Sequence, residues 1–314
     1  MISTTVGPLN GKVGVWYRTL RPFSYPAAIV PVLVGTMLAW HQGSAEWHLF
    51  ALALIGSIAI QAGTNLANEY FDYKQGLDSE ASLGAAGVIV LGVIPPWQVL
   101  WGAVAAFALG SAIGFYLTAV VGWPILVIGF FSVMAGWFYT AKPLALGYRA
   151  LGEPTVFLFM GVIMVMASYY LHWERFTWEA FLVSAPVGLL VTVILHTNNL
   201  RDVNEDAAKG RLTWCTAAVR TWGQEQGMAA ARRIYYFLVI VSYLWVFGLV
   251  LADVVPWAAL LAFASLPLAF RLARIVASGA EGKALGTVVK GTAQLHLLFG
   301  ALFALGFVIE HYAR

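Results

Sequence analysis

Nine uninterrupted apolar runs, at 23–40, 48–68, 97–116, 118–139, 151–171, 178–200, 233–252, 255–277 and 288–309, constrain this chain more than any other feature. About 20 helical residues cross the hydrocarbon core of a bilayer. Runs such as FLVIVSYLWVFGLVLA are apolar on every face. In lipid their backbone N–H and C=O groups must be satisfied within the run, and the α-helix does this. A membrane β-barrel would need segments of about 10 residues with alternating polarity, and no such pattern is visible. The expected fold is therefore all-α, a multi-pass transmembrane bundle of nine helices forming one membrane domain over 1–314. A hydrophobic content of 61%, against about 45–50% in soluble domains, agrees.

The basic residues set the expected orientation. With the N-terminus in the cytoplasm, 16 of the 18 Lys and Arg fall on cytoplasmic segments, leaving Arg175 and Arg314 outside. This is the positive-inside pattern, and it depends on the count of nine, since merging two runs would invert everything downstream. The net charge of +3 thus reports topology, and no nucleic-acid partner is implied. The N-terminus carries no cleavable signal pattern, so the expected location is the cell inner (cytoplasmic) membrane. The single Cys215 excludes an internal disulfide and is read as a small loop residue.

Against this apolar background, TNLANEYFDYKQGLDSE at 64–80 places Glu69, Asp72, Asp78 and Glu80 directly after the second run, in a chain with only 15 acids. The sixth run ends in a similar way, in HTNNLRDVNEDAAKGR at 196–211. Asn68 and Asp72 are four apart, as are Asp202 and Asp206, so each pair shares one helical face. Each pair also follows Thr and Asn residues, and the two halves read as a diverged internal repeat.

Carboxylates gathered in this way repel one another unless a cation lies between them. Without neighbouring cysteines, the ligand set is hard oxygen, which suits Mg²⁺ and disfavours zinc or copper. Mg²⁺ held by a few carboxylates keeps positions for substrate phosphate, which implies a diphosphate ligand. A cation transporter is the competing reading. Transporter sites lie near the midplane beside broken helices, whereas these clusters sit at cytoplasmic helix ends beside basic loops, and the position favours an enzyme.

NLANEYFDYKQGLD and NNLRDVNEDAAKG resemble the two aspartate-rich motifs of the UbiA superfamily of intramembrane prenyltransferases. TLRPFSYPAAIVPVLVGT at 19–36 and YTAKPLALGYRALGE at 139–153 add to the likeness, which covers nearly the whole chain. Within the superfamily the motifs are most similar to the branch that prenylates 1,4-dihydroxy-2-naphthoate. The resemblance implies Mg²⁺-dependent transfer of a polyprenyl group from a polyprenyl diphosphate donor to an aromatic acceptor, with decarboxylation, in menaquinone biosynthesis. Other acceptors in the superfamily are 4-hydroxybenzoate, homogentisate, haem or chlorophyll precursors and lipid alcohols.

Carried over residue by residue, the resemblance implies that Asn68, Asp72, Asp202 and Asp206 hold two Mg²⁺ ions bridging the donor diphosphate. Lys142, Arg201, Lys209 and Arg211 would contact its oxygens, and Asp78 would be a further ligand or the base near the acceptor. Tyr139 either faces the reacting allylic carbon or belongs to an interfacial aromatic belt. Tyr70, Phe71 and Tyr73 offer ring faces to the allylic cation, and the prenyl tail needs an apolar chamber open to membrane lipid. His196 is read as an acceptor contact or a packed helix-end residue, His296 as turned into the bundle, and Glu153 as an i,i+4 partner of Arg149.

Overall fold

A computed structural model describes residues 11–78 and 86–313; Glu80 lies outside them. Proline at the first helical position, where the missing N–H costs nothing, starts three helices: α2 (Pro26–His41), α4 (Pro96–Val121) and α5 (Pro124–Trp137). They are joined by α1 (Lys12–Leu20), α3 (Trp47–Lys74), α6 (Gly152–Val156), α7 (Met164–Trp173), α8 (Trp178–Ala208), α9 (Trp214–Leu251), α10 (Leu266–Ala277) and α11 (Lys283–Ala313). A π-helical stretch, Phe157–Ile163, fuses α6 and α7 into one span, and 3₁₀ turns at Trp257–Ser265 lead into α10. No strand forms among the described residues.

Each apolar run contains helix, but the runs are unequal. Among the described residues seven helical spans, with Gly152–Trp173 and Trp257–Ala277 each taken as one, are long and apolar enough to cross a membrane. The first run becomes α2, which follows Val13–Ser24 across a 47° bend. The fourth shrinks to α5, only 14 residues or about 21 Å at 1.5 Å per residue, short of the roughly 30 Å core. Residues 118–121 extend α4 instead, because Gly122, at φ 100°, and Pro124 break the run. The run ending at 200 continues as α8 through Ala208, so Asp202 and Asp206 lie on its last turns. Thr213 caps α9 in a reciprocal box with Thr216, and Gly223, at φ 78°, kinks that helix near its start.

The largest core packs α2, α8, α9 and α11, with Phe299, Phe303, Phe307 and Tyr235 fully buried. Helices approach closely where glycine allows it. A Cβ on Gly161 would fall 2.2 Å from Gly188 Cα, and one on Gly35 would fall 2.4 Å from the Val165 carbonyl. Such small-residue contacts carry packing in lipid, where apolar burial alone gives no preference between helix and lipid. Cys215 is not a loop residue: it is buried on α9, with its sulfur 3.9 Å from the His196 ring. His172 is structural, accepting from the Glu46 N–H at 3.1 Å and pairing with Thr36 at 3.1 Å.

Candidate active site

Helices α3 and α8 end on the same side of the bundle, and their last turns carry the two carboxylate pairs to the mouth of one chamber of about 630 Å³. Asn68, Asp72, Asp78, Asp202, Asp206, Arg201, Arg211 and Tyr139 all line it. Its deeper walls are apolar, with Ile113, Phe115, Leu117, Ile125, Phe130 and Met160 among them. A charged rim above an apolar sleeve is thus built from helix ends and helix bodies respectively.

Arg211 joins the two motifs. Its Nη1 lies 3.2 Å from Asp206 Oδ1 and its Nη2 3.3 Å from Asp72 Oδ2. Two loops hold it there: a single parallel bridge between Arg149 and Leu212, with the Leu212 N–H donating to the Tyr148 carbonyl at 3.1 Å, ties the α5–α6 connection to the α8–α9 connection. The same tie places the Tyr148 ring against the Arg211 guanidinium, 4.7 Å from centroid to Cζ, and lets the Tyr148 hydroxyl donate to Asp72. Burial, with the Asp72 charge second, raises the Tyr148 phenol well above its ordinary range, so it stays protonated and a donor.

Asp202 is engaged by Arg201, whose Nε and Nη2 each lie 2.6 Å from it. Asn68 accepts from the Thr140 hydroxyl at 3.0 Å. Asp78 sits at the chamber wall, where burial, followed by the Asp72 and Glu69 charges, pushes its carboxyl up to about 7. Glu69 is a buried clamp: it pairs with Arg21 at 3.1 Å and accepts the Ala86 and Val88 N–H groups, each at 3.1 Å. It holds Arg21 at the chamber wall.

Several expected residues fall elsewhere. Lys142 is exposed and Lys209 binds the Leu77 carbonyl and Glu205; neither lines the chamber. Tyr70 and Phe71 line a separate groove with Trp101 and Trp137, and Tyr73 is 41% exposed and absent from the chamber lining, so these three rings do not face the chamber. Glu153 does not pair with Arg149, which donates to the Pro143 carbonyl; it is buried and accepts from Asn199. His296 is fully buried, with no hydrogen-bond partner for either ring nitrogen among the described residues. Arg21 and Tyr148 are chamber residues that the motif reading passed over, although both lie in the stretches RPFSYP and ALGYRALGE.

The oxygen donors suit a hard divalent cation. Among the described residues no three His, Cys, Asp or Glu side chains are gathered closely enough to hold one, because arginines stand between the carboxylates. The arginines also leave donors free: Arg21 Nε and Arg211 Nε are buried without an acceptor among the described residues. Unsatisfied guanidinium donors at a cavity rim are the chemistry that receives an anion with several oxygens.

The UbiA prenyltransferase family model matches residues 28–287. The chain is 31% identical to the 1,4-dihydroxy-2-naphthoate octaprenyltransferase of Bacillus subtilis (strain 168) over 95% of its length and 93% of that protein. It is 33% identical to the protein of the same name from Escherichia coli (strain K12), covering 96% and 97% respectively. Among solved structures, a UbiA homolog from Archaeoglobus fulgidus bound to DMAPP and Mg²⁺ superposes with a TM-score of 0.65, covering 94% of this chain and 99% of its own, at 16% identity. That last likeness is one of fold.

Proposed function

From the premise that this chain belongs to the UbiA prenyltransferase family, we propose that it prenylates 1,4-dihydroxy-2-naphthoate from a polyprenyl diphosphate, at the cytoplasmic face of the inner membrane with its own N-terminus in the cytoplasm. The observation that carries the reading is Arg211 joining Asp72 and Asp206 at the rim of an apolar chamber. The near full-length similarity to proteins named for that acceptor supports the choice of substrate.

In this reading the diphosphate lies at the rim against Arg21, Arg201 and Arg211, and the hydrocarbon tail lies in the sleeve below. Two Mg²⁺ ions, shared between the Asn68–Asp72 and Asp202–Asp206 pairs rather than held by one cluster of acids, would supply Lewis-acid stabilisation of charge on the departing diphosphate. The arginines add fixed positive charge aimed at the same oxygens, which stabilises the leaving group more in the transition state than in the ground state. The allylic C–O bond breaks and its electron pair leaves with the diphosphate. Tyr139 and Tyr148, both at the chamber wall, offer ring faces that stabilise a carbocation without capturing it.

Asp78 takes the proton of the acceptor phenol, and the phenolate pushes electrons onto the ring carbon bearing the carboxylate. That carbon bonds to the prenyl group. The carbon–carboxylate bond then breaks, carbon dioxide leaves, and the electron pair returns to restore the aromatic phenolate. Supplying purified protein with carboxyl-labelled 1,4-dihydroxy-2-naphthoate tests this sequence. Labelled carbon dioxide is expected in step with prenylated product; product that keeps the label, or activity confined to another acceptor, rules it out.

A further inference from the structure

Directly below the rim is a buried polar group for which the chemistry above has no use. Glu153, 1% exposed, accepts from the Asn199 amide Nδ2 at 2.8 Å and lies 3.6 Å from His196 Nδ1. The His196 ring is fully buried, and its Nε2 faces the Ala231 carbonyl at 2.8 Å. A carbonyl only accepts, so Nε2 carries hydrogen, and a bare Nδ1 lone pair would then face the carboxylate. Nδ1 then faces both the carboxylate, at 3.6 Å, and the Cys215 sulfur, at 3.9 Å. Burying such a pair is costly unless it is well partnered, and Glu153 Oε2 has no partner among the described residues.

The pair reaches the chamber through Asn199, which lines it. An amide can present either end, but with Nδ2 turned to Glu153, Oδ1 is the end with no partner among the described residues. Asn199 lies three residues before Asp202 on α8, about 4.5 Å deeper along the helix axis. We infer that Glu153 is a positioning residue for the acceptor: through the Asn199 amide it fixes an accepting oxygen one turn below the diphosphate rim, where it receives a hydrogen bond from a ring hydroxyl of the aromatic substrate. The inference rests on the aromatic-acceptor reading above. It adds a preference: a hydroxyl fits at this point, and a carboxylate or an ether oxygen does not.

The test is steady-state kinetics of the full-length, detergent-purified protein with 1,4-dihydroxy-2-naphthoate and polyprenyl diphosphate varied separately. Glu153→Gln keeps the shape but lets the Asn199 amide reverse; Asn199→Ala removes it. Each is expected to raise the acceptor KM about tenfold, the size of one hydrogen bond, while the donor KM stays within about twofold of the parent, a span well under one such bond. In the double variant the acceptor KM should match that of Asn199→Ala alone, since Glu153 acts through that amide.

If the two changes multiply, or donor and acceptor KM rise together, Glu153 is structural and the inference fails. Should Glu153→Gln not fold, Asn199→Ala leaves the buried pair intact and decides the matter by the same KM split. A parent protein that binds the donor but prenylates no hydroxylated aromatic overturns the reading beneath the inference as well.

Discussion

Replacing Arg211 with glutamine removes the guanidinium that pairs with Asp72 of the first motif and Asp206 of the second. The guanidinium lies 3.3 Å from Asp72 and 3.2 Å from Asp206. At an effective dielectric of about 20, charges at that range attract by roughly 5 kcal/mol each before desolvation is counted. Stranding a buried partner costs about 3–5 kcal/mol. Here the Arg211, Asp72 and Asp206 side chains are 16%, 15% and 5% exposed beside an open chamber, so the freed carboxylates rehydrate in part. A net loss of about 2–3 kcal/mol follows. Turnover should fall by about 10²–10³, the usual consequence of losing one donor to developing negative charge. The two effects separate with Mg²⁺. In the parent, arginine and metal compete for the same carboxylates, so Arg211→Gln should gain more thermal stability from added Mg²⁺ than the parent does. Thermal denaturation in detergent, with and without Mg²⁺, beside a prenyl-transfer assay, measures all three quantities. A variant as stable as the parent without Mg²⁺, and no more responsive to it, would refute the bridging role.

Asp72→Asn and Asp202→Asn keep shape while removing a charge, and each should lower turnover about 10²–10³-fold in a folded protein; near-parent rates in both would end the two-cluster mechanism. Asp78, pushed up to about 7 by burial and then by Asp72 and Glu69, cannot take a proton while protonated, so kcat should climb between pH about 6 and about 8 and then level. A flat profile removes Asp78 as base. For stability the sign is opposite: its folded pKa lies above the ordinary 3.8, so Asp78 costs stability progressively as pH rises from about 4 to about 7. With Cys215 replaced, a thiol probe at exposed Gln226 should react only from the cytoplasmic side and one at exposed Arg175 only from outside; the reverse pattern would invert the topology.

The spans were legible because a residue facing lipid must be apolar whatever its neighbours, so each run declares itself locally. The fourth was overestimated because Gly122 and Pro124 sit inside an apolar composition that hides a break in the helix. The carboxylate pairs stood out by contrast, and spacing of four placed them on one face of α3 and one of α8. The same geometry argues against Tyr70, Phe71 and Tyr73. Each is one or two residues from Asp72, so at about 100° per residue its ring points well away from the Asp72 face. Arg211 was visible as a charge, but its bridging of two motifs was not. That depends on the Arg149–Leu212 tie between connections far apart in sequence, which also brings in Tyr148. The Glu153–Asn199 contact was hidden for the same reason, and the local i,i+4 rule pointed to Arg149 instead.

The Glu69 clamp has a consequence in time. Arg21, Glu69 and the Ala86 and Val88 amides all leave the ribosome before α4 does, so this half of the rim can close once the first two spans are in the membrane. Asp72 is made with it, but its counter-charge is residue 211. At roughly 5–20 residues per second, Asp72 waits about 7–28 seconds for Arg211, held at the bilayer surface by a clamp that is already complete. The nascent chain therefore carries one finished half-site, with Asp72 still lacking its guanidinium partner, through more than a third of its synthesis, and Arg211 arrives as the cation that pairs with it.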